Sequence, residues 1–159
     1  MIIRPATPQD AAAMTALQNE IIKIGGTTAY QQPRSIEQIL ASYITGAAVV
    51  SCQLADDAGR VLGFQVIGKA PGLAEGWADI GTFVQPGLQA RGIGAALFEA
   101  SLTAARAAGL KVLNATIRAD NVAGLAYYAR RGFVGYASQP DWALADGRKV
   151  GKISRRFEL

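Results

Sequence analysis

The spacing of apolar residues predicts one edge strand and two helices in the first third of the chain. Residues 2–4 read as a short strand, after which Thr7 supplies a typical helix N-cap. Apolar residues then keep helical spacing until the glycine pair at 25–26 ends the helix (Met14, Leu17, Ile21 and Ile24). A capping box over residues 35–38 opens a second helix, so residues 27–34 form a polar loop between the two.

The pattern becomes strand-like in the middle of the chain. Three apolar runs separated by glycine-containing turns predict an antiparallel meander over residues 49–54, 61–69 and 76–84. Gly81 interrupts the third run, which predicts either a bulge or the close approach of another group.

Helical spacing returns at residues 91–108, where the predicted apolar face contains Ile93, Leu97, Ala100, Ala104 and Ala108. Residues 113–117 alternate as a strand, and Asp120 or Asn121 caps the next helix, which Gly132 ends.

Residues 134–138 and 150–157 read as a closing hairpin. The element order, β-α-α-β-β-β-α-β-α-β-β, indicates an α/β (α+β) protein. With 159 residues, the chain suits a single domain spanning 1–159.

Composition narrows the possible chemistry. Half of the residues are hydrophobic, which excludes a disordered chain, and no apolar run reaches the roughly 18 residues of a membrane span. No signal peptide is visible, and Cys52 is the single cysteine, so we expect a cytoplasmic protein with Cys52 as buried filler. The chain has no histidine, which removes Ser-His and Cys-His catalysis, and we expect no metal site.

The charge pattern leaves three interpretations. The formal net charge is +4, and the basic residues concentrate after residue 117. A polyanionic ligand, nucleic acid or a solvated basic face would each fit this distribution. Aromatic residues are not interleaved with the basic ones, so nucleic acid is the minor interpretation.

The most informative segment, Gln89-Ala90-Arg91-Gly92-Ile93-Gly94, lies between a predicted strand and a predicted helix. Such a turn exposes backbone N–H groups at the positive end of a helix dipole and suits a phosphate or pyrophosphate. A P-loop is excluded because no Gly-Lys-Ser/Thr is present, and Leu97 stands where a dinucleotide fingerprint needs a third glycine or alanine. The alternative is a helix start that merely needs small residues.

This segment fits the pattern Gln/Arg-x-x-Gly-x-Gly/Ala, and here the chain resembles the GCN5-related N-acetyltransferases. A second match is residues 121–133, which resemble the family's Asn-x-x-(small)-x-x-x-Tyr-x-x-x-Gly-Phe segment, and residues 3–10 resemble its usual N-terminal opening. The resemblance implies the acyl-CoA N-acyltransferase fold of that family (GNAT), a mixed, mostly antiparallel sheet flanked by helices.

The resemblance also implies acetyl-coenzyme A (acetyl-CoA) as cosubstrate. In this family the loop holds the pyrophosphate, and backbone groups of the preceding, splayed strand hold the pantetheine arm and the thioester. Carried over by position, the cofactor-binding residues are Phe83, Val84, Gln89, Ala90, Arg91, Gly92, Ile93, Gly94, Ala95 and Asn121.

Two residues are the catalytic candidates. Tyr128 matches the family tyrosine that can give a proton to the leaving thiolate, and its alternative is an aromatic residue of the core beside Leu125. We expect the neighbouring Tyr127 to be core. Asp79, where phosphinothricin-type acetyltransferases usually carry glutamate, is the candidate general base and substrate contact; its alternative is a surface carboxylate. Tyr30, in the loop between the first two helices, is a further candidate substrate contact.

We therefore predict an N-acetyltransferase that acts on a primary amine of a small molecule, such as an amino acid, by direct attack in a ternary complex. Residues 146–152 resemble a run near the end of phosphinothricin-type members, but Ile153 and Arg155 depart from their pattern. The alternatives are a protein N-terminal or lysine acetyltransferase and a CoA-binding regulatory protein without catalysis. We expect no nucleic-acid or membrane partner and keep a homodimer as one option.

Overall fold

The computed structural model describes residues 1–159 and contains seven strands and four helices. The strands are β1 (Ile2–Pro5), β2 (Val49–Asp57), β3 (Arg60–Gly68), β4 (Trp77–Val84), β5 (Val112–Arg118), β6 (Val134–Gln139) and β7 (Lys152–Glu158). The helices are α1 (Ala11–Ile24), α2 (Ile36–Ile39), α3 (Ile93–Ala107) and α4 (Val122–Arg130). A 3₁₀ turn (Pro8–Asp10) precedes α1 and a π-helical turn (Leu40–Ile44) follows α2.

All seven strands form one sheet in the order β1-β2-β3-β4-β5-β7-β6. Every neighbouring pair is antiparallel except β4 and β5, which are parallel. The predicted meander is confirmed as β2, β3 and β4, and the predicted closing hairpin as β6 and β7. The mixed, mostly antiparallel sheet flanked by helices is therefore the predicted fold.

The helices cover both faces of the sheet. On one face, Phe98 and Leu102 of α3 and Tyr128 of α4 pack with residues of β4 and β5 in the largest core cluster. On the other face, Met14 of α1 and Ile39 of α2 pack over residues of β2 and β3. No helix of the protein is both long enough and apolar enough to cross a membrane.

The structure corrects the predicted apolar face of α3. Ile93 and Leu97 are buried as expected, but Ala108 is exposed, and the buried face continues through Phe98, Ser101, Leu102 and Ala105. The large side chains of Phe98 and Leu102 contribute more apolar area than the alanines, so the helix packs with these two residues toward the sheet.

Strand β5 is buried on both faces rather than on alternate residues. Its residues 112–115 are all buried because β5 lies between β4 and β7, with helices on one side and the polar side chain of Asn114 turned to the other. Alternation of apolar and polar residues is typical of a strand with one buried face, whereas a central strand can be buried on both faces.

The structure also decides the predictions for Cys52 and Gly81. Cys52 is buried, and burial raises the pKa of its thiol to about 12, so it is core filler as expected. Gly81 marks no bulge, since the register between β3 and β4 is continuous. It marks a close approach instead, because a Cβ atom there would lie 3.3 Å from Cε2 of Phe83.

An ion-pair network joins the N-terminal strand to α1. The Arg4 guanidinium donates to both carboxylate oxygens of Asp10 at 2.8 Å and to Asp56 on β2 at 3.0 Å. Asp10 also accepts from the backbone N–H of Thr7 at 2.8 Å. These donors stabilise the carboxylate and lower the pKa of Asp10 to about 2, chiefly through the hydrogen bonds from Arg4.

Candidate functional site

The sheet splits between β4 and β5. These strands pair only at Trp77–Val112, Ala78–Leu113 and Asp79–Asn114, so the remaining residues of β4 and β5 are not paired with each other. We call the space between residues 80–84 and 115–118 the wedge. One backbone edge of β4 is thus left without a neighbouring strand, and an unpaired strand edge offers hydrogen-bond donors and acceptors to a ligand.

The alternation of β4 decides which backbone groups face the wedge. The N–H of Gln85 donates to the carbonyl of Leu62 at 2.8 Å, so alternate residues before it, including Phe83, are hydrogen-bonded to β3. The N–H and C=O groups of Ile80, Thr82 and Val84 point the other way, toward β5. The N–H of Ile80 belongs to the last pair of the ladder, Asp79–Asn114, so the groups of Thr82 and Val84 are the ones that face the wedge. The backbone of Val84 thus suits its predicted ligand contact, whereas that of Phe83 is engaged with β3.

The side chains of these two residues are structural. The ring of Phe83 stacks on Phe64 at 5.0 Å between centroids, on the face covered by α1 and α2. Val84 packs against the small core cluster that contains Ile93 and Leu97 of α3. They fix β4 in place at the side of the wedge.

The loop after β4 carries a row of unpartnered backbone donors. The first intrahelical bond of α3 runs from the N–H of Ala96 to the carbonyl of Gly92, and the seven N–H groups before it, residues 89–95, have no hydrogen-bond partner in the protein. These are the predicted loop residues Gln89, Ala90, Arg91, Gly92, Ile93, Gly94 and Ala95. We call them the N–H cradle.

The backbone of the cradle is held in an uncommon conformation. Gly92 has φ +81°, and Ala90 has φ +63°, which is one of only two positive values outside glycine in the chain. Left-handed residues next to ordinary ones turn successive N–H groups toward one point and form an anion-binding concavity. A strained alanine costs about 1–2 kcal/mol and tends to persist at ligand sites.

Arg91 adds a full positive charge to the cradle. Its side chain is exposed and makes no ion pair with any carboxylate. The cradle therefore combines seven donors, a helix N-terminus and a free guanidinium, a set that fits a pyrophosphate.

Tyr128 lies between the two sides of the wedge. It is buried on α4, which follows β5, and its hydroxyl lies 2.8 Å from Oγ1 of Thr82 on β4. Burial raises the pKa of Tyr128 above its ordinary value, so the hydroxyl keeps its proton. Tyr128 also packs in the main core cluster, so the core and the site are compatible roles for it.

Tyr127 has a larger polar role than the sequence indicates. Its ring packs against the core only in part, and its hydroxyl donates to the carbonyl of Gly94 at 2.8 Å and accepts from Nε2 of Gln65 at 3.0 Å. Tyr127 therefore links α4 to the beginning of α3, inside the cradle.

Asp79 lies at the apex of the wedge, in the last pair of residues that joins β4 to β5. The carboxylate is half-buried and accepts from Nδ2 of Asn114 at 2.7 Å. Burial raises the pKa of Asp79 despite this hydrogen bond. Asn114 in turn accepts from the hydroxyl of Tyr136, and the ring of Tyr136 lies edge-on to Trp77. Asp79 is thus a partly desolvated carboxylate held by a polar network.

Asn121 caps α4 as predicted. Its Oδ1 accepts from the N–H of Gly124 at 2.9 Å, and its Nδ2 donates to the carbonyl of Thr27 at 3.1 Å. Both polar atoms of the side-chain amide thus have protein partners, and these two hydrogen bonds explain its position. Its contact with a cofactor stays a prediction.

The polar loop that contains the substrate-contact candidate Tyr30, residues 27–34, is tied to the carboxyl end of β5. The carbonyl of Thr28 accepts from the buried guanidinium of Arg118 at 3.2 Å. In the loop, the guanidinium of Arg34 lies 4.3 Å from the exposed ring of Tyr30, and it donates to the hydroxyl of Tyr43 at 2.9 Å. Arg34 has no carboxylate partner.

Sequence reasoning missed four polar residues beside the candidate site: Gln65, Thr82, Asn114 and Tyr136. Gln65 and Asn114 each interrupt an apolar strand, which is a visible signal, because a buried amide needs partners. The sequence does not say which distant residues those partners are.

A parallel pair of strands that splits beside the N–H cradle is an α/β arrangement that suits a phosphate-bearing ligand at the carboxyl ends of the strands. The acetyltransferase (GNAT) family model matches residues 18–133, well over half of the chain. The chain therefore belongs to the GNAT family, and it is an acetyltransferase.

Solved structures share its fold over nearly the whole length. A ribosomal-protein-alanine N-acetyltransferase from Brucella melitensis superposes with a TM-score of 0.88 at 22% identity, covering 100% of both chains. The proposed acetyltransferase yncA from Salmonella typhimurium, solved with its cofactor acetyl-CoA, gives 0.87 at 22% identity over 99% of this chain and 93% of that one.

A proposed phosphinothricin N-acetyltransferase gives a TM-score of 0.85 at 23% identity, covering 99% of this chain and 98% of the other. At these identities the likeness concerns the fold. Comparison with curated protein sequences finds no match.

Proposed function

We propose that the protein transfers the acetyl group of acetyl-CoA to the primary amine of a small molecule that carries a carboxylate, such as an amino acid. The observation that carries this proposal is the cradle of seven unpartnered N–H groups next to the wedge. The complex of yncA with acetyl-CoA, a protein of the same fold, supports the choice of cosubstrate.

In this proposal the cradle and Arg91 hold the pyrophosphate of the cosubstrate. The wedge-facing backbone groups of Thr82 and Val84 hold the pantetheine arm by hydrogen bonds of the kind that a neighbouring strand would make. The bound thioester supplies an activated acetyl group. Fixing it beside the amine contributes roughly 7–11 kcal/mol toward the barrier through proximity alone.

Asp79 serves as the general base. A carboxylate whose pKa is raised by burial is a better proton acceptor at neutral pH than an exposed one, and Asp79 lies at the apex of the wedge with one oxygen free of protein partners. Tyr128, on the other side of the wedge, serves as the proton donor to the leaving sulfur.

The acceptor's carboxylate is assigned to Arg34. Its guanidinium is stacked on Tyr30, in the loop that covers the carboxyl end of β5, and it has no acidic partner of its own. A cation without a counter-ion in an acceptor loop favours an anionic substrate. Protein N-terminal or lysine acetylation would place a long peptide here and is the second candidate. The ribosomal-protein-alanine N-acetyltransferase of the same fold is the observation that favours it.

The single buried cysteine and the lack of any disulfide support a cytoplasmic location, and we include it in the proposal together with a homodimer. Gel filtration with light scattering tests the dimer.

Calorimetry with CoA tests the cofactor site. We expect micromolar binding, with a loss of well over tenfold in Gly94→Glu, because the new side chain meets the ring of Tyr127 and displaces the beginning of α3, which carries the cradle. Arg91→Ala should weaken binding severalfold, and the control Arg106→Ala, an arginine at the other end of α3, should not. Equal affinity of Gly94→Glu and the wild type would remove the cradle from the cofactor site.

A panel of amino acids, their amides and short peptides, followed by thiol release from acetyl-CoA, tests the acceptor. We expect turnover of an amino acid and at least tenfold less kcat/KM with its amide. Arg34→Gln should reduce that preference. Binding of CoA without turnover of any amine would instead support a regulatory protein, and peptides as the best substrates would support the second candidate.

A further inference from the structure

A buried amide faces Thr82, the hydroxyl partner of Tyr128. Gln65 is fully buried on β3 and lies directly opposite Thr82 on β4 in the strand register. Its Nε2 donates to Oγ1 of Thr82 at 2.8 Å and to the hydroxyl of Tyr127 at 3.0 Å. Oγ1 of Thr82 lies 2.8 Å from the hydroxyl of Tyr128, so the three side chains form a continuous row.

Tyr127 fixes the orientation of the Gln65 amide. The single proton of the Tyr127 hydroxyl goes to the carbonyl of Gly94, at 2.8 Å, because a carbonyl can only accept. The hydroxyl of Tyr127 must then accept from Gln65. The two protons of Nε2 are both used in this way, one on Tyr127 and one on Thr82.

The amide oxygen of Gln65 is left over. It is buried and has no hydrogen-bond partner. An unpartnered buried acceptor is unfavourable, and a leucine or methionine would fill the same space without one. Packing therefore does not explain glutamine at this position, whereas the two hydrogen bonds that Nε2 donates to Thr82 and Tyr127 do.

One bond direction remains to be assigned. Thr82 accepts from Gln65, and the single hydrogen bond between the hydroxyls of Thr82 and Tyr128 can take its proton from either oxygen. The hydrogen bond that Thr82 accepts from Gln65 polarises its hydroxyl and makes it a better donor. With Thr82 as the donor, the proton of Tyr128 is free for a ligand in the wedge.

We infer that Gln65 and Thr82 are positioning residues that keep the proton of Tyr128 directed at the sulfur of the bound cosubstrate. This inference rests on the proposed function. As the carbon–sulfur bond breaks and sulfur keeps the electron pair, Tyr128 gives its proton to sulfur and later regains one from water. The hydrogen bond from Thr82 stabilises the tyrosine oxygen while it carries negative charge.

The acidity of the CoA thiol bound to the protein tests the direction without any amine. A hydroxyl that donates to sulfur stabilises the thiolate, so Tyr128→Phe should make the bound thiol about tenfold less acidic, as followed by thiolate absorbance. Gln65→Glu should have the same effect, because a carboxylate would accept the proton of Thr82, and Thr82 would then take the proton of Tyr128.

Three comparisons separate this effect from a general disturbance. Gln53 lies opposite Gln65 on β2, and the control Gln53→Glu should leave the thiol unchanged. In a Tyr128→Phe background, Gln65→Glu should cause no further change in the acidity of the bound thiol. Adding Thr82→Val to Gln65→Glu should restore the acidity, since Tyr128 then has no competing acceptor. No restoration, or an effect that persists without Tyr128, would overturn the inference.

A second measurement covers the case in which Gln65→Glu does not fold. The C–O stretching band of tyrosine reports whether the hydroxyl donates or accepts. In the free protein, the band that Tyr128→Phe removes should shift in Gln65→Met, and an unshifted band would overturn the inference.

Failure of the wild type to bind CoA would refute the proposed function itself, and the inference with it. If the wild type binds CoA but Tyr128→Phe leaves the acidity of the bound thiol unchanged, Tyr128 is not the donor, and the inference is wrong.

Discussion

Gly94→Ala should destabilise the protein through a single contact between α3 and α4. A Cβ atom at position 94 would lie 2.7 Å from Cε2 of Tyr127, whereas ordinary contact begins at 3.4 Å. The ring must therefore retreat by roughly 0.7 Å. Its hydroxyl is held by the carbonyl of Gly94 at 2.8 Å and by Gln65 at 3.0 Å, and its edge meets Tyr128 at 4.9 Å between centroids.

The magnitude follows from these bonds. Moving the ring by this distance weakens both hydrogen bonds, each worth about 1 kcal/mol, so we expect a loss of about 2 kcal/mol in the free energy of unfolding. For a domain of this size, that corresponds to a fall of roughly 4–8 °C in Tm. The beginning of α3 also moves, so CoA affinity should fall with stability.

Urea and thermal unfolding of four variants check this reasoning. Gly135→Ala, where a Cβ atom meets nothing within 4 Å, should stay within about 0.5 kcal/mol of the wild type. Tyr127→Leu removes the ring, and Gly94→Ala added to it should cost nothing or stabilise the protein slightly, because alanine favours a helix. A wild-type Tm for Gly94→Ala, or the same loss with leucine at position 127, would refute the argument.

Two further predictions concern titrating groups. Asp10→Asn should cost about 1–2 kcal/mol at pH 7; the folded-state pKa, about 2, lies below the ordinary 3.8, so this stability is complete above pH 3.8 and disappears as the pH falls toward 2. Urea midpoints of the two proteins should converge there, and a constant gap would contradict the ion-pair account. Asp79→Asn should abolish the acidic limb of kcat/KM for the amine, and the exposed control Glu75→Gln should keep it. A limb that persists without Asp79 would assign it to the amine or to another residue.

The sequence predicts those parts of the site that are local in the chain. The cradle, residues 89–95, follows one strand and opens one helix, so its glycines and the change of periodicity are enough to predict a phosphate site. The N-cap role of Asn121 is local in the same way. Each depends on residues only a few positions apart, where backbone geometry is nearly determined by residue type.

The rest of the site depends on contacts that no spacing reveals. Gln65 meets Tyr127 across 62 positions and Asp79 meets Asn114 across 35, and both pairs exist only because of the strand order. The sequence predicts the hairpin of β6 and β7 but does not predict the position of β7 next to β5. Reading Tyr127 as core likewise missed its hydroxyl, whose two partners come from β3 and α3.

The one parallel pair of the sheet explains why these parts meet. A parallel connection requires a crossover, and here the crossover from β4 to β5 is α3, whose N-terminus must therefore lie at the carboxyl end of β4. By the same rule α4 begins at the carboxyl end of β5.

Because pairing stops at Asp79, both strand ends diverge between these two helix starts. The cradle, the unpaired edge of β4, the carboxylate at the apex and the hydroxyl of Tyr128 consequently surround one space. An antiparallel partner at that position, joined to β4 by a tight turn, would have closed the edge and left no room for α3.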